Sequence, residues 1–278
     1  MTIKTIVLDL DGTLLNDDKE ISEKTKDILI TAQEKGIRVV LASGRPVTGM
    51  LKYASQLKMD QYHGLLIAYN GSKVVDCQTS EVLFNQALTV SEGKAVLHHM
   101  KKFDVKVMID KDDYLYVNDV YDCDINYRGE KFNIIQYEAR GGNFKLCEKD
   151  DLEEFLDFRL NKILTAGDPE YLQANYKQMM APFKDSLSCM FTADFYFEYT
   201  AHGIDKANAL DTVFDLLGIS GQKVIAFGDA PNDMSLLMYA DIGVAMENAV
   251  AEVKKAADVV TLSNNDDGIV HVLEDFIG

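Results

Sequence analysis

The chain has 278 residues, enough for one large domain or two modest ones, and 47% of them are hydrophobic, enough for a packed core. It carries 45 acidic against 28 basic residues, a formal net charge of −17. That balance excludes the basic footprint of a nucleic-acid binder and opposes docking on an anionic membrane. An anionic substrate would need local cations to approach, so a bound divalent metal and a lysine become expected parts of any phosphate site.

The N-terminus reads Met1-Thr-Ile-Lys-Thr-Ile-Val-Leu-Asp9. Its apolar run is too short for a secretory signal and ends in an acid. No stretch approaches the length of a membrane-spanning helix, so a cytoplasmic protein is expected. The four cysteines, Cys77, Cys123, Cys147 and Cys189, are far apart and form no CxxC pair, which reads as reduced thiols.

Thr5-Ile-Val-Leu8 is apolar or β-branched at every position, as a parallel strand buried on both faces would be. A helix is expected from Glu23 to Lys35, capped by Ser22 and stopped by Gly36. Further strands follow at residues 37–42 and 65–69. From 85 to 192 the pattern changes. Residues 105–109 and 114–117 are separated by a few polar residues, which signals a hairpin and antiparallel pairing. A helix near Pro169 to Met180 follows, then a second hairpin from residues 188–192 and 195–199. Strands at 223–227 and 258–262 restore the alternation of strand and helix.

This order predicts an α/β fold: a Rossmann-like, doubly wound parallel-sheet core with an inserted α+β domain. The core would comprise residues 1–84 and 193–278, and the insertion 85–192.

In open parallel sheets, ligands bind beyond the carboxyl ends of the strands. Four of the expected strands run into polar residues there. They are Asp9-Leu-Asp11-Gly-Thr13, Ser43-Gly-Arg45, Asn70-Gly71 and Gly228-Asp229-Ala-Pro-Asn232-Asp233. If Asp9 and Asp11 continue the strand, both point to one face. A carboxylate pair held that way favours a bound cation or a retained proton, and magnesium suits hard oxygen donors. Asp-Gly is also a common turn pair. Ser43 and Gly44 before Pro46 would offer a hydroxyl and a free amide at a helix start, suited to phosphate or to ordinary capping. Asp229 repeats that arrangement before Pro231. Lys206 is a candidate point-charge phosphate binder or a solvated surface lysine.

Taken together these residues resemble the haloacid dehalogenase (HAD) phosphohydrolase superfamily, most closely its Cof-type group with a type IIB cap, over essentially the whole chain. Asp9 to Thr13 match the first family motif, Ser43 the second, Lys206 the third and Gly228 to Asp233 the fourth. The residues at 243–248 and 261–268 also look Cof-like. The resemblance implies that Asp9 is the nucleophile and Asp11 the general acid and base. It implies Mg2+ held by the Asp9 and Asp229 carboxylates and the Asp11 backbone carbonyl. Phosphoryl oxygens would be held by Ser43, Lys206, Asn232 and the amides of Leu10 and Gly44, with Asp233 in support. Ala207 stands where glycine is frequent, and Glu247 where a small residue is common.

The expected function is a magnesium-dependent phosphatase acting on a small phosphorylated metabolite, a sugar phosphate first, through an aspartyl phosphate. Two alternatives remain open from the residues: a phosphomutase of the phosphomannomutase-like type, and a non-catalytic metabolite-binding protein on the same fold. The expected insertion, with 14 basic and 19 acidic residues, disfavours a large polyanionic substrate. Its Tyr114, Tyr116, Tyr121 and Tyr127 are candidates for stacking on a sugar or base, or for packing.

Overall fold

A computed structural model describes residues 2–277; Met1 and Gly278, the outer ends of the expected core ranges, lie outside the described residues. The chain divides into two compact units, Met1–Asn85 with Asp205–Gly278, and Gln86–Ile204. Among the described residues no helix is long and apolar enough to cross a membrane.

The first unit opens with β1 (Thr5–Leu8), α1 (Glu23–Glu34), β2 (Arg38–Ala42), α2 (Val47–Gln56) and β3 (Leu65–Ala68). The antiparallel β4 (Lys73–Asp76) and β5 (Val82–Asn85) follow. Ser22 caps α1 by accepting a hydrogen bond from the Thr25 amide, as the sequence suggests. Pro46 differs from expectation. It is the N-cap of α2 rather than part of its first turn, so Ser43 stands three residues ahead of the cap.

The second unit contains α3 (Val90–Met100), β6 (Lys106–Lys111), β7 (Tyr114–Val117), β8 (Asp124–Tyr127), β9 (Glu130–Asn133) and α4 (Ile134–Gly141). It continues through β10 (Lys145–Glu148), α5 (Leu152–Phe155), β11 (Ile163–Ala166) and α6 (Pro169–Met180) to β12 (Leu187–Ala193) and β13 (Tyr196–Ala201). Six strands form one sheet in the order β10-β7-β6-β11-β13-β12, antiparallel except for β10 and β7. Both expected hairpins are present. The boundary expected at 192/193 falls inside β12, because β13 pairs with β11 and β12 and so belongs to this sheet. The return to the first unit lies at Ile204/Asp205.

The chain then completes the first unit with α7 (Lys206–Leu217), β14 (Val224–Gly228), α8 (Met234–Tyr239), β15 (Ile242–Ala245), α9 (Ala251–Ala256), β16 (Val259–Val260) and α10 (Gly268–Ile277). Its sheet order is β16-β15-β14-β1-β2-β3-β4-β5, parallel from β16 to β3. Helices cover both faces. Ile6 and Leu8 pack with Leu29 of α1 and Leu273 of α10, whereas Val7 packs with Leu210 of α7 and Leu237 of α8. A strand buried on both sides must be apolar at successive positions, which is the pattern β1 shows. The run at 258–262 was expected to be another such strand. It forms only the two-residue β16, exposed at the sheet edge with β15 as its single strand neighbour.

This order places the topological switch between β1 and β14. From β1 the chain winds outward through α1 to β2; from β14 it winds the other way through α8 to β15. The loops after β1 and β14 therefore flank one crevice, the position at which open α/β sheets bind ligands.

Candidate active site

β1 delivers Asp9 to that crevice. The Asp9 amide donates to the Phe227 carbonyl at 3.1 Å, extending the β1–β14 ladder by one residue. Its side chain is buried and accepts from Lys206 Nζ at 2.7 Å. Lys206 is the first residue of α7, whose cap Asp205 accepts from the Asn208 amide. This lysine is no solvated surface residue: it is 1% exposed and also donates to Asp233 Oδ1 at 2.6 Å. Asp233, fully buried, closes the turn after β14, and its other oxygen accepts from the Asp229 and Ala230 amides, each at 3.0 Å. Lys206 is thus an ammonium shared between two buried carboxylates from different strand ends.

Asp229 enters from the loop directly after β14. Its Oδ1 accepts from Thr13 Oγ1 at 2.7 Å. A β-carbon on Gly12 would lie 2.4 Å from its Oδ2, and Gly12 has φ +85°. Only glycine both makes that turn and leaves room for the Asp229 carboxylate. Asn248 secures the turn by donating to the Gly12 carbonyl at 2.7 Å.

Carboxylate oxygens of Asp9, Asp229 and Asp233 lie within 4.8 Å of one another. Burial raises the pKa of Asp9 well above the ordinary carboxylate range, helped by the charge of Asp233 and opposed by Lys206. Asp229 is raised to about 6, again chiefly by burial, with Thr13 opposing and Asp233 assisting. Burial disfavours the Lys206 charge, yet Asp233 and Asp9 together hold its pKa above the usual lysine value. Three carboxylates against one lysine leave a net negative group of hard oxygen donors. The mutual repulsion is what a divalent cation would relieve, so these residues fit a magnesium-like ion.

Asp11 departs from the sequence expectation. Its side chain does not join Asp9 on one face. The strand ends at Leu8, and the turn through Gly12 carries the Asp11 carboxylate towards Arg45. Arg45 Nε donates to Oδ2 at 2.6 Å and Nη2 to Oδ1 at 2.7 Å, and Lys19 Nζ adds a 3.0 Å contact. Burial opposes its charge, but Arg45 and Lys19 outweigh that and lower its pKa. The third carboxylate of the cluster is Asp233, which the sequence suggested only as support.

Leu10 is fully buried in the turn. Ser43 is buried at the end of β2, where its Oγ accepts from the Arg45 amide at 3.2 Å. Gly44 lies against Asn70, whose side-chain atoms come within 3.2 Å of where a Gly44 β-carbon would be. Asn232 donates from Nδ2 to Asn70 Oδ1 at 2.9 Å. Sequence reasoning gave no site role to Thr13 or Asn248; that Arg45 could pair with an acid was one of its two readings, and Asp11 is that acid. Thr13 was visible inside the first motif, but its contact spans 216 residues.

A family model of haloacid dehalogenase-like hydrolases matches residues 6–273. The chain belongs to the haloacid dehalogenase-like hydrolases. A solved haloacid dehalogenase-like hydrolase from Bacteroides thetaiotaomicron is similar to it, with a TM-score of 0.90 and 31% identity over 99% of each chain. A 5-amino-6-(5-phospho-D-ribitylamino)uracil phosphatase of Bacillus subtilis is 30% identical over 280 residues, 99% of this chain and 96% of its own. A solved HAD subclass IIB sugar phosphatase shares the fold, with a TM-score of 0.78 at 24% identity over 98% of each chain. This chain is accordingly a HAD-type phosphatase, and the haloacid dehalogenase-like match spans both of its units.

Proposed function

We propose that the enzyme is a magnesium-dependent phosphatase that hydrolyses a small phosphorylated metabolite through a phosphorylated Asp9. The observation that carries this reading is the meeting of Asp9, Lys206, Asp229 and Asp233 at the switch point of the sheet. Asp9 is the nucleophile. One of its oxygens attacks phosphorus, the bond from phosphorus to the ester oxygen breaks, and Asp11 protonates the departing alkoxide. Asp11, held as a carboxylate by Arg45 and Lys19, must first part from them and take up a proton from solvent. Water then attacks the phosphoryl group and yields its proton to Asp11. The phosphorus–Asp9 bond breaks, and inorganic phosphate leaves with Asp9 regenerated.

Ser43, Lys206, Asn232 and the amides of Leu10 and Gly44 hold the phosphoryl oxygens, since phosphoryl transfer depends mainly on positioning and charge stabilisation. Asp9, Asp229 and the Asp11 carbonyl would hold Mg2+, with Asp233 fixing Lys206 and the loop after β14. When bound, the ion supplies positive charge that offsets the carboxylates and the phosphoryl oxygens.

For the substrate, the Bacillus subtilis relative is named for a ribityl phosphate ester, which favours a sugar or polyol phosphate. We ascribe substrate choice to the unit Gln86–Ile204, a type IIB cap in this reading. The test is phosphate release from a panel of sugar, polyol and nucleotide monophosphates, with magnesium and with chelator. Release confined to magnesium and strongest with the sugar and polyol esters is expected. No release from any ester rejects the reading.

A further inference from the structure

The turn that ends β3 carries three consecutive residues in the left-handed region: Tyr69 (φ 51°), Asn70 (φ 56°) and Gly71 (φ 106°). Glycine adopts this conformation freely and asparagine tolerates it, but tyrosine does so at a cost, on the order of 1 kcal/mol. Such a run persists only where the surroundings hold it, and here they are all parts of the site. The Tyr69 amide donates to the Arg45 carbonyl at 3.0 Å, and the Asn70 amide to the Ser43 carbonyl at 2.9 Å. A β-carbon on Gly71 would lie 2.3 Å from the Asp205 carbonyl and 3.0 Å from the Lys206 nitrogen. The Asn70 side chain accepts from Asn232 Nδ2 and lies against Gly44. One three-residue turn therefore touches the segments that carry Ser43 and Gly44, Lys206, and Asn232.

We propose that Asn70 is a positioning residue for phosphoryl binding, which orients the Asn232 amide and sets its spacing from the Ser43–Gly44 loop. This rests on the phosphatase reading above and assigns a role to a residue outside its catalytic set. Asn232 has one side-chain carbonyl and one NH2 group. The Asn70 oxygen takes one hydrogen of that NH2 group, which fixes the plane of the amide and leaves the second N–H directed by the first. Backbone and side chain act together: the left-handed conformation brings the Asn70 amide onto Ser43 while its side chain reaches Asn232.

The test is a double-mutant cycle measured with p-nitrophenyl phosphate and magnesium, alongside thermal melting and inhibition by inorganic phosphate. Asn70→Gly keeps the left-handed backbone and removes only the side chain. The expected result is an unchanged melting transition, weaker inhibition by phosphate, and kcat/KM lower by about 10-fold to 100-fold, the weight of one hydrogen bond to a charged group. Asn232→Ala should cost a similar factor in the wild-type background and almost nothing further in Asn70→Gly. In Asn70→Asp, which keeps the acceptor oxygen, Asn232→Ala should still cost its full factor. Wild-type kcat/KM in Asn70→Gly, or independent multiplicative losses in the double variant, overturns the inference alone. Absence of phosphate release from every ester by the wild-type protein overturns the phosphatase reading and this inference with it.

Discussion

Lys206→Met removes one positive charge from the centre of the site and keeps much of the side-chain volume. In the wild type Lys206 Nζ lies 2.7 Å from Asp9 Oδ1 and 2.6 Å from Asp233 Oδ1, with side-chain exposures of 0%, 8% and 0% for the three residues. Removing one partner of a buried ion pair costs about 3–5 kcal/mol, because the other charge is left uncompensated. Two carboxylates lose their partner here, but the loss is not doubled. Asp9 is already pushed well above the ordinary carboxylate range by burial and by Asp233, so losing the Lys206 charge raises it further and makes its neutral form easier to reach in the variant. A loss of about 3 kcal/mol is therefore expected in chelator at about pH 7.5. The assay is urea unfolding followed by circular dichroism, fitted by linear extrapolation for the transition of the discontinuous unit. Adding Asp233→Asn to the variant should recover part of the loss, since it removes one of the stranded charges. A loss below about 1 kcal/mol, or further additive destabilisation in the double variant, would refute the shared-ammonium reasoning.

Asp229→Asn tests the repulsion within the cluster. With its folded pKa at about 6 against an ordinary 3.8, the wild-type carboxyl binds more protons folded than unfolded between those values, so its contribution to stability falls as pH rises through them. In chelator the variant should be more stable than wild type by about 1–2 kcal/mol at neutral pH, after discounting a group that is only partly buried, and that advantage should vanish at about pH 4. Melting curves across that range check it; an advantage that grows on acidification contradicts the sign. Gly12→Ala would set a β-carbon 2.4 Å from Asp229 Oδ2 at φ +85°. We expect a loss of about 2 kcal/mol or more and a higher magnesium concentration for half-maximal activity, both absent if the turn can relax.

Much of the core unit was legible because its strands are buried on both faces. Leu41 packs on one side of β2 and Val40 on the other, and nothing but an apolar run satisfies both. Edge elements were less legible. Val259 and Val260 look like core residues in sequence, yet they sit exposed at the margin, and strand order is not written in a local pattern. Likewise Tyr196 to Ala201 could belong to either unit until the pairing with β11 is known. At the site, the strand-end pattern picked out Asp9, Asp229 and Asn232 without distances, and the match to the third family motif picked out Lys206. Neither could say which carboxylate faces which cation. Asp11 and Asp233 differ by the turn at Gly12 and by the amides of Asp229 and Ala230, contacts that appear only in three dimensions. Asn70 was visible as a polar strand end, but its bond to Asn232 spans 162 residues.

The most direct measurement is acid quenching of the enzyme during turnover with magnesium and an active phosphate ester, followed by peptide mass analysis. The account predicts a peptide containing Asp9 heavier by one phosphoryl group, lost on mild alkaline treatment and absent from Asp9→Asn. An Asp9→Asn variant that turns over at the wild-type rate, or a phosphoryl group found on a different residue, would contradict it.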